Sequence, residues 1–353
     1  MTTRRPPAHT KRRPSRGAAL LTALVIVTLV TTVATAMIWQ QWRAIQIEAA
    51  ERSQAQAQMI LNGALDWARL LLREDLRADD RKNDRIDTLL EPWATPLQEA
   101  RLSTFLAADK DHNSEDAPDA FLSGSITDAQ ARFNLRNLIR NELKSVPDEK
   151  ALLRLCEFVD VPARTCGALI TATQQAIQIN KPPQVTPTGA TSPPDSTPAI
   201  PKSAALLPQV TSDLIWLGID RVNANRLMPH VVMLPRNTTI NLNTASKEVI
   251  AAMIPGLDLA SAQRLIQARQ QRPLRSSGDL RAVISTVTST TDDGSRFGYR
   301  SDYFEVTGTL RLDEMIVSQR SMLRREGPNL IILTTERIGP GAAAAPATTH
   351  SPN

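Results

Sequence analysis

The feature that most limits what this chain can become lies near its start. Residues Ala18 to Ile38 run for about twenty-one positions without a charge, enough helix at about 1.5 Å per residue to cross about 30 Å of hydrocarbon. Six basic residues, Arg4, Arg5, Lys11, Arg12, Arg13 and Arg16, crowd the leader ahead of it. Lys and Arg are retained on the cytoplasmic side of a membrane, so the rest of the chain is expected on the far side. A cleaved secretory signal is the competing reading, with Ala34-Thr35-Ala36 as a small-x-small site. Its apolar core would exceed the roughly 7–15 residues of that class.

The segment after the apolar stretch favours a helix that continues. From Trp39 to about Arg77 there is no proline and only one glycine, Gly63, and the segment is rich in Ala, Gln, Glu, Arg and Leu, all good helix formers. Apolar residues recur at Ile60, Ala64, Trp67 and Leu71, with a looser second set at Leu61, Leu65, Ala68 and Leu72. Spacing of three and four is the mark of an amphipathic helix, so the first set predicts a stripe that partner helices can bury.

Composition then removes several classes of function. The chain has 353 residues and 42% hydrophobic content, enough for one large or two modest cores, and is not a disordered protein. Its net charge of +5 is concentrated in the leader, so charge gives little reason to expect a nucleic-acid partner. The four histidines (His9, His112, His230, His350) are scattered, and no HExxH, CxxC, P-loop or GxSxG pattern occurs. No nucleophile and base can be paired, so no enzyme is expected. Cys156 and Cys166 lie on the exported side, where a disulfide closing a short loop is allowed; two buried free thiols are the alternative.

Beyond the helix, Glu91-Pro-Trp-Ala-Thr-Pro96 breaks regularity, since each proline removes a donor and restrains its predecessor. Short strands come next at Phe121–Ile126, and an edge strand is expected to end near Ala131–Leu138. Asp109, Asp111 and Asn113 have the one, three, five spacing of a calcium loop but lack its glycine, and Ala120 stands where the closing glutamate belongs. Residues 149–179 predict two helices separated around Pro162. Residues 181–205 hold seven prolines among Thr, Ser and Gly, a solvated loop. Thr211–Gly218 reads as a short helix closed by glycine, and Thr244 or Ser246 can cap a helix that runs toward Pro255-Gly256, with another after it to Arg269. Residues 302–312 alternate Phe304, Val306, Leu310 and Leu312 on one face, and Met315 to Arg325 returns as a second strand. The end of the chain is rich in Ala, Pro and Thr and is expected to be disordered.

A basic leader closed by Gly17, then an apolar helix that packs under its own head, resembles type IV prepilins and the pseudopilins of the type II secretion system. That resemblance implies cleavage by a prepilin peptidase between Gly17 and Ala18 and methylation of the new amino terminus. Most of the family carries glutamate at the fifth mature position, where this chain has Thr22. The departure is similar to the minor pseudopilin family known as the K subunit. Ala131-Arg-Phe-Asn-Leu-Arg-Asn-Leu138 resembles that family's GRFNLNNL motif, and Asn241-Leu-Asn-Thr-Ala245 its NxNTA segment. Membership would imply minor pseudopilins I and J as partners at the pseudopilus tip, a single-pass inner-membrane anchor with a short cytoplasmic N-terminus, and a periplasmic bulk. Calcium is implied through an acidic run, but Leu169-Ile-Thr-Ala-Thr-Gln174 stands at the corresponding place, and no cofactor is firmly expected.

The physics of Thr22 stands apart from the name. A carboxylate at mid-bilayer costs about 2.5–3.5 kcal/mol or more unless a partner meets it, and the first subunit of a filament has none above it. A threonine hydroxyl bonds back to the carbonyl one turn earlier. Residues 240–269 also resemble the helix-hairpin-helix of competence DNA receptors, the basis of an alternative function as a membrane-anchored DNA-binding protein. Against it, Asp258 replaces the second glycine that would let backbone amides reach phosphate, and no nucleic acid is expected.

The expected fold is therefore α+β and pilin-like, a long N-terminal helix on a small antiparallel sheet, with a large all-α insertion containing a helix-hairpin-helix-like segment. The expected order is leader 1–17, membrane helix 18–39, exported helix 40–77, head 78–135, insertion 136–290, closing strands 291–336 and tail 337–353.

Overall fold

The fold was taken from a computed structural model, which describes residues 16–102, 120–180, 206–284, 296–313 and 315–339. Helix α1 spans Arg16–Lys82. Residues up to Met59 and those from Ile60 onward form two compact units, and each is treated by itself.

Within the second unit, α1 buries Leu61, Leu65, Ala68, Leu72 and Leu76, spaced four, three, four and four. That row faces a five-stranded sheet whose strands lie in the order β1 (Leu97–Arg101), β2 (Ala120–Asp128), β9 (Tyr303–Leu312), β10 (Met315–Glu326) and β11 (Asn329–Ile338). All four pairings are antiparallel. Leu65, Ala68 and Leu72 pack with Trp93, Ile126, Phe304, Val306, Leu323 and Leu330, and Trp93 meets Phe304 edge to face at 5.2 Å. Directly opposite each other in β2 and β9 stand Gly124 and Gly308. A Cβ on Gly308 would lie 3.3 Å from Leu61 Cδ2, so the bare backbone there gives the helix room, while one on Gly124 would lie 2.7 Å from the Thr307 carbonyl oxygen of the neighbouring strand.

The sheet corrects two expectations. The strand before Ala131–Leu138 is not at the edge, because β1 pairs outside it; β1 reads Leu-Gln-Glu-Ala-Arg, a composition that offers no strand signal of its own. The expected tail boundary at 336/337 falls inside β11, which returns after a turn at Gly327 (φ +58°) and carries the apolar run Leu330–Leu333. The hairpin of β9 and β10 forms as its alternation requires, through the turn after Leu312.

Between β2 and β9 the chain makes a helical excursion with its own core. Helices α2 (Val146–Phe158) and α3 (Ala163–Ile179) break at Pro162, which serves as the N-cap residue of α3. A 3-10 helix over Thr211–Leu217 ends at Gly218 in the left-handed region (φ +82°), and α4 (Arg221–Leu227) starts from the Asp220 cap. Helices α5 (Lys247–Met253), α6 (Leu259–Gln271) and α7 (Ser277–Val283) complete it. Short parallel pairs join distant parts: β3 (Phe133–Asn134) with β6 (Val231–Val232), and β7 (Ile240–Asn241) with β8 (Phe297–Gly298). A further pair joins β4 (Ile139–Arg140) and β5 (Leu143–Lys144) in antiparallel fashion. The buried core runs from Phe133 and Leu135 through Leu152, Leu155, Ile250 and Leu265 to Phe297.

Candidate functional site

In the first unit the apolar part of α1 is lined outward by Leu20, Leu21, Leu24, Val25, Ile26 and their successors, and it passes the length and composition test for a membrane span. Its polar atoms are answered locally. Thr22 Oγ1 donates to Ala19 O at 2.9 Å, Thr28 to Val25 O at 2.9 Å and Thr35 to Thr31 O at 2.8 Å. Thr31 and Thr32 do likewise within one turn. Each hydroxyl therefore enters a low-dielectric medium already satisfied, at a small cost to helix geometry. Gly17 and Ala18 fall in the first turn of α1.

The structure separates the two apolar rows of the exported helix. Leu61, Leu65, Ala68 and Leu72 go into the head, whereas Ile60, Ala64 and Leu71 lie half-buried on its flank and Trp67 is 52% exposed. The stripe expected to pack is thus not the one the chain covers for itself. It borders an open face that includes Leu70 and Gly63, where an added Cβ would meet nothing.

The joint between head and insertion is polar and buried. Asp128, at the end of β2, accepts from Gln130 N at 2.7 Å, Ser301 Oγ at 2.6 Å, Thr244 Oγ1 at 2.5 Å and Asn241 Nδ2 at 3.1 Å. Burial pushes its carboxyl up to about 6, against those donors. Asn241 also donates to Asp87 O and Ser301 Oγ, both at 3.0 Å. Asp87 accepts from Ser301 N at 2.7 Å and from Arg325 Nη1 at 2.5 Å, while Arg325 Nη2 reaches Asp75 at 2.9 Å. Asn241 and Thr244 of the NxNTA segment thus form a clamp that ties the insertion to the loop after α1, to the end of β2 and to the segment leading into β9. Asn243 turns the other way, donating to Leu274 O at 2.9 Å and accepting from Leu274 N at 2.9 Å.

The residues of the Phe133–Leu138 motif do comparable work. Asn134 Nδ2 donates to Arg236 O at 2.8 Å and its Oδ1 accepts from Leu234 N at 3.1 Å, and Asn137 spans to Thr238 on both sides. Buried asparagines used this way stand in for missing strand partners. Sequence reading found these segments as motifs; it missed Asp87, Asp128, Ser301 and Arg325, whose partners lie far off in the chain.

Cys156 and Cys166 form a disulfide, S–S 2.17 Å, that ties α2 to α3 within the insertion's core. The acidic-loop positions Asp109, Asp111 and Asn113 lie outside the described residues. Leu169, Ile170, Thr173 and Gln174 are buried, and Thr173 Oγ1 bonds back to Leu169 O at 2.7 Å, so this face of α3 offers a calcium ion no carboxylate. At the start of α6, Asp258 accepts from Ser261 N at 2.7 Å. A carboxylate already occupies the position where a DNA phosphate would need those amides.

A membrane-length helix, a helix-on-sheet head and a joint made of structural hydrogen bonds, with no reactive constellation among the described residues, define a pilin-like structural subunit. The sequence model of the family described as Type II secretion system (T2SS), protein K matches residues 240–298, the clamp and the helices after it. Type II secretion system protein K of Pseudomonas aeruginosa is 27% identical over 343 residues, spanning 96% of this chain and 97% of that protein. The Klebsiella pneumoniae protein of the same name is 27% identical over 322 residues, covering 88% and 93%. A chain in the crystal structure of the GspK-GspI-GspJ complex from enterotoxigenic Escherichia coli superposes with a TM-score of 0.59 at 21% identity, over 82% of this chain and 98% of that one. Along nearly its whole length the chain is similar to protein K of the type II secretion system. It is a minor pseudopilin and not an enzyme, and the alternative as a DNA-binding protein is unsupported.

Proposed function

We propose that this pseudopilin sits at the tip of the pseudopilus with I- and J-type minor pseudopilins and helps start its assembly, from a single-pass inner-membrane anchor with the bulk of the chain in the periplasm. The observation that carries the reading is Thr22 bonded to its own helix at Ala19 O. No upstream amine is needed to neutralise it, so the chain can enter the filament with nothing ahead of it. The solved relative was crystallised in complex with I and J proteins, which supports the choice of partners. The open face bordered by Ile60, Ala64, Trp67 and Leu71 is the surface a neighbouring pseudopilin helix would cover, and the α5–α6 pair is a structural element and not a DNA-binding hairpin. The leader is removed between Gly17 and Ala18 by prepilin peptidase, and the Cys156–Cys166 bond forms after export.

The test is made on the full chain in its native host. A mature protein that starts at methylated Ala18, co-purifies with two smaller pilin-like proteins and labels filament ends is the expected result. Labelling along the shaft, or retention of residues 1–17, overturns it. A Thr22→Glu chain is expected to lose its restriction to the end.

A further inference from the structure

Four carboxylates crowd the point where α1, the loop after it and β10 meet. Asp75 and Asp79 are one turn apart on α1, and each brings an oxygen within 4.8 Å of the other and of Asp87. Glu91 lies further along the loop, accepting from Thr88 N at 3.0 Å and Trp93 Nε1 at 2.5 Å. The cation that answers them is part of the chain: Arg325, its side chain only 1% exposed, bridges Asp87 and Asp75 and lies 4.5 Å over the Phe304 ring. Lys82 on α1 and Arg300 are the other cations whose fields reach the group, and Asp128 adds a further negative charge from β2. One buried guanidinium cannot balance four carboxylates; the group carries excess negative charge in a partly dry place.

We propose that Asp75, Asp79 and Asp87, gathered about Arg325, with Glu91 of the following loop in their field, form a proton-operated clasp that is strained when all are ionised and tightens the joint between head and insertion when the group takes up a proton. Burial is the first cause raising each of them: Asp75 and Asp79 to about 6, Glu91 to about 8, and Asp87 upward as well. An acid whose folded-state value is raised binds its proton more tightly when folded, so stability rises as pH falls through that value and levels off near the unfolded value of about 4. The window therefore runs from about pH 8 down to about pH 4, and the group titrates as a unit. The clasp reaches the insertion directly, because Ser301 N donates to Asp87 and Ser301 Oγ to Asp128, the hub of the insertion's clamp.

The experiment is thermal unfolding of the full chain in detergent micelles between pH 8 and pH 5.5, with hydrogen exchange read at the Ser301 amide. The melting temperature is expected to rise by about 5 °C on acidification, and the Ser301 protection factor, corrected for the pH dependence of intrinsic amide exchange, to increase. Asp79 has no side-chain hydrogen-bond partner among the described residues, so Asp79→Asn is expected to fold, to melt about 2 °C higher than the parent at pH 8 and to show a shallower slope. Asp66→Asn, on the exposed side of the same helix, is expected to keep the parent slope. A flat or falling melting curve in acid, or an Asp79→Asn slope equal to the parent's, overturns the proposal. So does a rise at pH 8 on adding millimolar calcium alone, which would make the group a cation site.

Discussion

The apolar start of α1 and the joint between head and insertion face one problem, a polar group removed from water, and solve it at opposite ranges. In the first, each threonine hydroxyl finds a carbonyl three or four residues back in its own helix. In the second, Asp128 is satisfied by Asn241, Thr244 and Ser301, separated from it by 113, 116 and 173 residues. A locally satisfied segment tolerates a change of surroundings, which suits a helix that must live in lipid and against neighbours. A joint satisfied mainly at long range, with only the Gln130 amide close by in the chain, exists only when the whole fold is present, and so reports on it.

That contrast can be broken, beginning where the effect is greatest. Asp128→Ala leaves Ser301, Thr244, Asn241 and the Gln130 amide without their shared acceptor in a buried site, and a loss of about 3–5 kcal/mol is expected in chemical denaturation. A loss under about 1 kcal/mol would mean the joint is wet. Reducing Cys156–Cys166, which closes a loop with a sequence separation of 10, is expected to cost about 3 kcal/mol, read as a lower midpoint under reductant. Leu72, fully buried between helix and sheet, should lose about 2–5 kcal/mol on Leu72→Ala, whereas Trp67→Ala, one turn away but exposed, should change the chain's own stability by less than about 0.5 kcal/mol while weakening co-purification with partner pseudopilins. Smallest of all, Thr22→Val is expected to leave membrane insertion and stability unchanged within about 0.5 kcal/mol, because the hydroxyl it removes bonds back to the Ala19 carbonyl of the same helix.

The same contrast explains what could be read from the sequence. The long helix, the break at Pro162, the Gly218 stop, the Ser246 cap and the β9–β10 hairpin all arise from neighbours within a few residues, and all are present. Ser246, not Thr244, caps α5; Thr244 is turned toward Asp128 by a contact no local rule contains. The choice between the two apolar rows of α1 was equally hidden. They differ by one residue, about 100° of helix, and periodicity alone fits both. What separates them is the sheet itself, whose Ile126, Phe304, Val306, Leu323 and Leu330 meet the buried row and whose Gly308 makes room for Leu61, all far away in the chain. Strands β1 and β11 were missed for a related reason, since an edge strand takes its identity from the one it pairs with.

Asp128, the last residue of β2, lies directly opposite Phe304 near the start of β9, in adjacent antiparallel strands. The helical excursion therefore leaves and rejoins the sheet across a single rung and occupies the place of a hairpin turn. Such a cassette can lengthen, shrink or be exchanged without moving any strand, so a pseudopilin can be refitted for new neighbours while its sheet stays fixed.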